Sequence, residues 1–435
     1  MYFLNYLKIE GLWNLKDMEL HFPKTRKTTI LIGKNGTGKT TVINLIRAVA
    51  EVDLVQLITT PFDKLTLKLV DLENSKTKTL AVWVEEDPKS TYDFVCYKIS
   101  SKTYRLRASA DPMVMRRRMM HQRNRSIDSE FDELKQDLSA LLNIYSISVY
   151  RDGPIVAENE DAYANTARRR ANRSSIDIRL DYLVNELTRY LLEISDNVST
   201  VTETLQKEVL KFILYDKRTD DSIYTSAIGD KDFNPKEEAI RLKDVYKELG
   251  VSRGVSERID SHTKRISSAI KNLRGDDNDN VLEDIAMLTL HYRTKLLTDR
   301  SLKAKEQKES IRKPINEFIQ IVNGFLSPKT MRVDSEHGFI VGTNSGSIDR
   351  KDLSSGEKQL LILLIESLLQ RGESCLFIAD EPELSLHVEW QEKLVQSISS
   401  INPNAQIIIA THSPEIAAFH DDSVIDMEEI IHETD

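Results

Sequence analysis

Gly33–Thr40 reads GKNGTGKT, entered by the apolar run TTILI (Thr28–Ile32) and followed by TVINLIRAVA from Thr41 to Ala50. The entry spacing predicts a short strand, and the exit a helix over Thr40–Ala50. A glycine-rich turn between such elements aims backbone N–H groups at an anion, and the helix N-terminus adds a favourable dipole. The loop therefore reads as a phosphate cradle built from Gly33, Lys34, Asn35, Gly36, Thr37, Gly38, Lys39, Thr40 and Thr41. In this pattern Lys39 reaches the β- and γ-phosphates as a point charge, and the Thr40 hydroxyl ligates Mg2+.

Two distant stretches complete the chemistry. CLFIADEP (Cys375–Pro382) reads as a buried strand, Leu376–Ala379, that delivers two acids at its C-terminal end, where ligands gather in open α/β sheets. Asp380 is placed to hold Mg2+, and Glu381 to orient or deprotonate an attacking water. LSSGEKQ (Leu353–Gln359) puts serines and a glycine at a helix start.

With the later stretch IIIATHSPEI (Ile407–Ile416), these motifs resemble the ABC-ATPase superfamily, in its SMC and RecF-like branch. That resemblance implies ATP held between two subunits. Ser354, Ser355, Gly356 and Glu357 of one subunit would contact the γ-phosphate bound by the other, with His412 as the switch histidine. Ser385 and Leu386 would cross the interface; His387 either joins them or caps the following helix. No counterpart of the superfamily's inter-lobe glutamine is assigned at Gln56 or near Arg151, and no adenine-stacking aromatic, although Trp13 and Phe22 lie in the early region where one is expected.

The fold class expected is thus α/β: a two-lobed ABC head of the P-loop NTPase type, interrupted by an antiparallel helical arm. Hairpin strands are expected at Leu65–Val70, Leu80–Glu85, Phe94–Ile99 and Tyr104–Leu106. From Ile176 to Phe212 apolar residues recur at three or four positions, which predicts one long amphipathic helix. A second such pattern runs from Leu282 through Leu288 and resumes from Ile311 to Phe325 around Pro314. Residues 1–155 are expected to form the first lobe, 156–325 the arm and 326–435 the second lobe.

The 435 residues are 40% hydrophobic, enough for a large core, and carry a net charge of −9, which restricts any nucleic-acid contact to a local basic patch. Two such clusters exist, Arg116, Arg117, Arg118, Arg123 and Arg125, and Arg168, Arg169, Arg170 and Arg173. The acidic end from Asp421 reads as a solvated tail, or as a docking strip for such a cluster. Two cysteines exclude a disulfide framework. The start lacks a signal-peptide pattern and no stretch suits a membrane span, so a cytoplasmic location is expected.

Within the branch, ADEPELSLH and ATHSPEI are similar to overcoming-lysogenization-defect ATPases and to the ATPase subunits of two-gene anti-phage systems such as Septu and PARIS. About twenty residues follow His412, so no nuclease domain is expected within this sequence. The resemblance therefore implies a homo-oligomeric ATPase that senses for, or restrains, a separately encoded HNH or TOPRIM nuclease. Two other readings stand beside it: a repair ATPase that clamps DNA, and an ATP-locked scaffold.

Overall fold

The computed structural model describes residues 2–23, 27–72, 74–86, 93–109, 128–142, 144–148, 174–214, 233–248, 254–274, 280–334, 338–343, 346–420 and 423–433. In chain order the first elements are strands β1 (Tyr2–Leu12), β2 (Lys16–His21) and β3 (Thr28–Ile32), and helices α1 (Lys39–Glu51) and α2 (Leu54–Thr59). Strands β4 (Lys64–Asp71), β5 (Thr77–Glu85), β6 (Asp93–Ile99) and β7 (Lys102–Ala108) follow, then α3 (Asp128–Ser139) and β8 (Ile144–Ser148). Helices α4 (Ser175–Ile213), α5 (Pro235–Glu248), α6 (Val255–Arg274) and α7 (Val281–Leu326) come next. The chain closes with β9 (Thr330–Asp334), β10 (Gly338–Thr343), β11 (Gly346–Ile348), α8 (Ser355–Leu369), β12 (Leu376–Asp380), α9 (Val388–Ile401), β13 (Gln406–Ala410), α10 (Pro414–Ala418), β14 (Val424–Asp426) and β15 (Ile431–Glu433).

Two compact units result, one made of Met1–Arg189 with Glu317–Asp435 and the other of Tyr190–Asn316. In the first, an antiparallel sheet runs β15-β2-β1-β4-β5-β6-β7 and a parallel sheet runs β14-β3-β13-β12-β8. The period-2 alternation explains the antiparallel sheet: Leu65, Leu67 and Leu69 are buried while Lys64 and Lys68 face out. The strands LFIAD and QIIIA instead read as continuous apolar runs, as strands covered on both faces require. Helix α1 joins the two layers. Its Val42, Leu45, Ile46 and Val49 share one core with Leu65 and Leu67 of the antiparallel sheet and Ile378 and Ile408 of the parallel one. Each such side chain contributes about 1.5–3 kcal/mol by leaving water.

The acidic C-terminal segment is not a solvated tail. Val424 pairs with Ile30 in the parallel sheet and Ile431 with Met18 in the antiparallel one. The apolar residues Val424, Ile425, Ile430 and Ile431, interleaved among the carboxylates, account for this, three of them packing on the core.

Helix α8 is apolar nearly all round, and Leu360 to Ile365 are buried on every face. Glu366, buried in its second half, accepts a 2.8 Å bond from Nε of Arg179 on α4. Lys358 of the same helix donates to Asp177 at 2.7 Å. The expected long helix from Ile176 to Phe212 is α4. The two apolar stretches on either side of the polar run before Ile311 form a single 46-residue helix, α7, that continues through Pro314, although proline removes one backbone donor. Within the second unit, α5 and α6 pack through Ala239, Leu242 and Ile259, and α6 meets α7 through Ile266, Ile270 and Leu288.

Candidate functional site

The parallel sheet sets the carboxyl ends of β3, β13 and β12 side by side, with β13 in the middle. The glycine loop leaves β3, the two acids leave β12 and His412 leaves β13, so three distant sequence motifs meet at one edge. Helix α1 starts from Gly38, whose φ of +91° favours glycine. Space demands glycine too, since a Cβ there would lie 2.9 Å from Met18 Cε and 3.2 Å from Trp13 Cη2. The first turn of α1 carries no acidic residue, which leaves its positive end available to an anion.

Lys39 is 5% exposed, and its ammonium donates to the carbonyls of Gly33 at 2.6 Å and Lys34 at 3.1 Å. Burial pulls its pKa below the ordinary lysine value, against the opposing fields of Glu381 and Asp380. A buried cation surrounded by loop carbonyls is suited to exchanging them for phosphate oxygens. Lys34 itself is exposed; its N–H and ammonium both bond Glu428, at 3.2 and 3.0 Å. Asn35 and Gly36 are exposed at the crest of the loop, and Thr37 bonds back to Lys34 O at 2.9 Å.

The Thr40 hydroxyl donates to Asp380 Oδ1 at 3.2 Å. Two hard oxygen donors at this separation suit Mg2+, which takes one or two protein ligands and completes its shell with phosphate oxygens and water. Among the described residues no group of three or more His, Cys, Asp or Glu side chains could hold a metal unaided.

Glu381 follows Asp380 with φ +48°, a conformation rare for a residue with a side chain. Its N–H donates to Ala410 O on β13 at 2.8 Å, and its Oε1 lies 3.8 Å from His412 Nε2. Both side chains are about one-third exposed or more, so water reaches them. A cavity of about 550 Å³ opens beside His412, lined by Ile32, Gly33, Ser413 and Val424 among others.

The serine-glycine turn is also built, by local chemistry. Ser354 caps α8: its hydroxyl accepts from Glu357 N–H at 3.2 Å, and Glu357 accepts from Ser354 N–H at 2.8 Å. Lys329 donates to the other Glu357 oxygen at 2.6 Å. Burial alone would raise the Glu357 pKa, but Lys329 and the Ser354 donors outweigh it and hold it below the ordinary value. Ser355 opens the helix, and Gly356 packs so closely on Ser385 that a Cβ would meet its carbonyl oxygen at 2.3 Å. Among the described residues no hydrogen bond or ion pair links this turn to the glycine loop of the same chain.

Several expectations change or fall away. His387 stands at the backbone N-cap of α9 but makes no capping bond, so the cap role is not its role. Phe22 is 2% exposed in the core and cannot stack on a base, whereas Trp13 is partly buried against Gly38. The clusters at Arg116, Arg117, Arg118, Arg123, Arg125 and at Arg168, Arg169, Arg170, Arg173 lie outside the described residues. Sequence reasoning missed Glu383, which receives the backbone on both sides of His412; its only signal is its place two residues after Glu381. It also missed the Glu357–Lys329 and Lys34–Glu428 pairs, which no spacing announces.

A P-loop strand and helix, an acid pair two strands away and a histidine on the strand between them define a nucleotide-hydrolysing α/β domain. The chain belongs to the AAA ATPase domain family, whose model matches residues 2–417. It is similar to a retron Vc95 probable ATPase of Vibrio cholerae serotype O1 biovar El Tor, 31% identical over 129 residues, covering 27% of this chain and 24% of that one. It is also similar to the Septu protein PtuA of Bacillus thuringiensis, 36% identical over 91 residues, 18% of this chain and 23% of that one. The matched stretches thus span about a quarter of these relatives' own length. A solved Smc head domain with an extended coiled coil from Pyrococcus furiosus aligns over 100% of this chain and 96% of its own, with 14% identity and a TM-score of 0.43. Among the described residues no helix is long and apolar enough to cross a membrane.

Proposed function

We propose that the protein is an Mg2+-dependent ATP hydrolase whose nucleotide is closed in by a second copy of the chain, and that it serves as the sensor or scaffold ATPase of an anti-phage system controlling a separate nuclease. The observation that carries the chemical part is the convergence of Lys39, Thr40, Asp380, Glu381 and His412 at one sheet edge. Lys39 would leave the Gly33 and Lys34 carbonyls to hold β- and γ-phosphate oxygens, while the loop N–H groups and the start of α1 hold the rest. Thr40 and Asp380 would hold Mg2+, which supplies charge neutralisation at the phosphates. Glu381 orients a water molecule on the γ-phosphorus and accepts its proton as the new P–O bond forms. The bond to the β-phosphate oxygen breaks, and ADP leaves with the electron pair. His412 contacts the γ-phosphate and registers its loss.

Support for the second copy comes from the serine-glycine turn. Ser354, Ser355 and Gly356 stand at the N-terminus of a 15-residue helix, whose dipole favours an anion, yet they make no polar contact with their own glycine loop. A nucleotide in a partner's loop would satisfy that end and make association depend on ATP. The lobe organisation proposed is 1–155 and 326–435 around an arm at 156–325. The defence role rests on similarity to retron and Septu ATPases and on the motif resemblance, with an HNH or TOPRIM nuclease as the effector. One experiment tests both levels: cells carrying the gene with its neighbouring genes are challenged with phages, comparing the parent with Lys39→Ala. Protection that disappears in the variant supports the reading; equal plaque counts in parent, variant and empty-vector cells contradict the defence role.

A further inference from the structure

We infer that Glu383 is a positioning residue for hydrolysis: its carboxylate ties the loop carrying His412 to the loop carrying Glu381 and so sets the distance between those two side chains. The inference rests on the proposed hydrolytic roles of Glu381 and His412 and adds a residue to them.

The geometry is specific. A single oxygen, Glu383 Oε1, accepts from the Thr411 hydroxyl at 2.6 Å, from His412 N–H at 2.9 Å and from Ser413 N–H at 3.2 Å. These are three consecutive residues leaving β13. Glu381 N–H, two residues earlier in the acid loop, donates to Ala410 O at 2.8 Å. The segment from Ala410 to Ser413 is therefore held by the Glu381–Glu383 segment at three backbone groups and one side-chain hydroxyl, with His412 between them. Ser413 is fixed from its far side as well, through the 2.7 Å contact of its hydroxyl with Gln391 Oε1.

Glu383 is 9% exposed, and its second oxygen, Oε2, is buried with no hydrogen-bond partner among the described residues. An unsatisfied buried polar atom costs about 1–3 kcal/mol. An apolar side chain would avoid that cost but could not gather three donors on one point. The carboxylate therefore fits a positional demand better than a stability demand. Hydrogen bonds from backbone N–H groups to a carboxylate are stronger than those to a neutral acceptor, which suits a loop that must hold an imidazole 3.8 Å from a carboxylate.

The test is steady-state ATP turnover by the full chain for the parent, Glu383→Ala, Glu383→Gln and Glu381→Gln, with Glu383→Ala also made in a His412→Ala background. Glu383→Ala should lower kcat about tenfold while KM for ATP stays within about threefold, because the transition state loses more than nucleotide binding does. Glu383→Gln keeps an acceptor oxygen and should remain within about threefold of the parent in kcat. In the His412→Ala background the extra loss from Glu383→Ala should shrink below about twofold, since both changes then remove the same contribution. If Glu383→Ala does not fold, Thr411→Val removes one of the three donors and should still lower kcat about threefold at constant KM.

Parental kcat in Glu383→Ala, or in Thr411→Val where that variant replaces it, overturns the inference when Glu381→Gln is inactive. So does a Glu383→Gln loss equal to that of alanine, or full additivity with His412→Ala. Parental turnover by Glu381→Gln defeats instead the hydrolytic reading itself, and the inference with it.

Discussion

Replacing Gly356 by alanine tests how the start of α8 is seated. The added Cβ would lie 2.3 Å from the Ser385 carbonyl oxygen and 3.3 Å from its carbonyl carbon. The obstacle is backbone, so no side-chain rotation relieves it; Ser385 is itself held at φ +68°. Ordinary contact begins at 3.4 Å, so the two segments must separate by about 1 Å, an overpacking cost of about 1–3 kcal/mol. Alanine's better helix propensity returns up to about 1 kcal/mol, leaving a net loss of about 1–2 kcal/mol. Gly324 supplies the comparison: it lies in α7 and a Cβ there meets nothing within 4 Å. Denaturant unfolding should therefore show Gly356→Ala less stable than the parent and Gly324→Ala equal or more stable. ATP turnover should fall in Gly356→Ala, because the serine-glycine turn moves relative to the loop that carries Glu381, while nucleotide affinity at the chain's own glycine loop stays unchanged. A Gly356→Ala protein as stable and as active as the parent would refute this account of the packing.

Thr40→Val removes one oxygen ligand and Asp380→Asn removes the negative charge of the other, so each should raise the Mg2+ concentration needed for half-maximal turnover by about tenfold or more, read from metal titrations. Burial pushes the Glu366 carboxyl up to about 7 in spite of Arg179, from an ordinary 4.5. Between those values the folded state keeps a proton that the unfolded state has released, so stability should fall as pH rises from about 4.5 to about 7, by on the order of 3 kcal/mol. Glu366→Gln should remove that slope in denaturant titrations at pH 5 and pH 8; an unchanged slope would place its origin elsewhere.

The glycine turn, the strand before the acid pair and the strand before His412 were legible because their signals are local: an apolar run, a tight turn and a helix start are contiguous in the sequence. The hairpin strands and α4 were legible through period, Leu65-Leu67-Leu69 at two and Leu180-Leu183-Leu187 at three and four. What pairs over distance was not. Nothing in Val424–Asp426 announces that it lies beside Thr28–Ile32, and its neighbouring carboxylates masked the few apolar residues that put it there. The single helix α7 was obscured because its middle, Lys305–Ser310, carries no apolar residue. Glu383 escaped notice for a similar reason, since its three donors sit 28 to 30 positions away.

In the proposed cycle ATP joins two copies of this chain, each closing the other's nucleotide site. Its most direct test is the mass in solution of Glu381→Gln, measured by light scattering with ATP and Mg2+ and again without nucleotide. The account predicts a mass at least doubled by ATP, with no such change in Lys39→Ala or when the serine turn is disrupted by Ser355→Arg. A Glu381→Gln protein whose mass is the same with and without ATP, alongside a parent that hydrolyses ATP at full rate as a monomer, would contradict it.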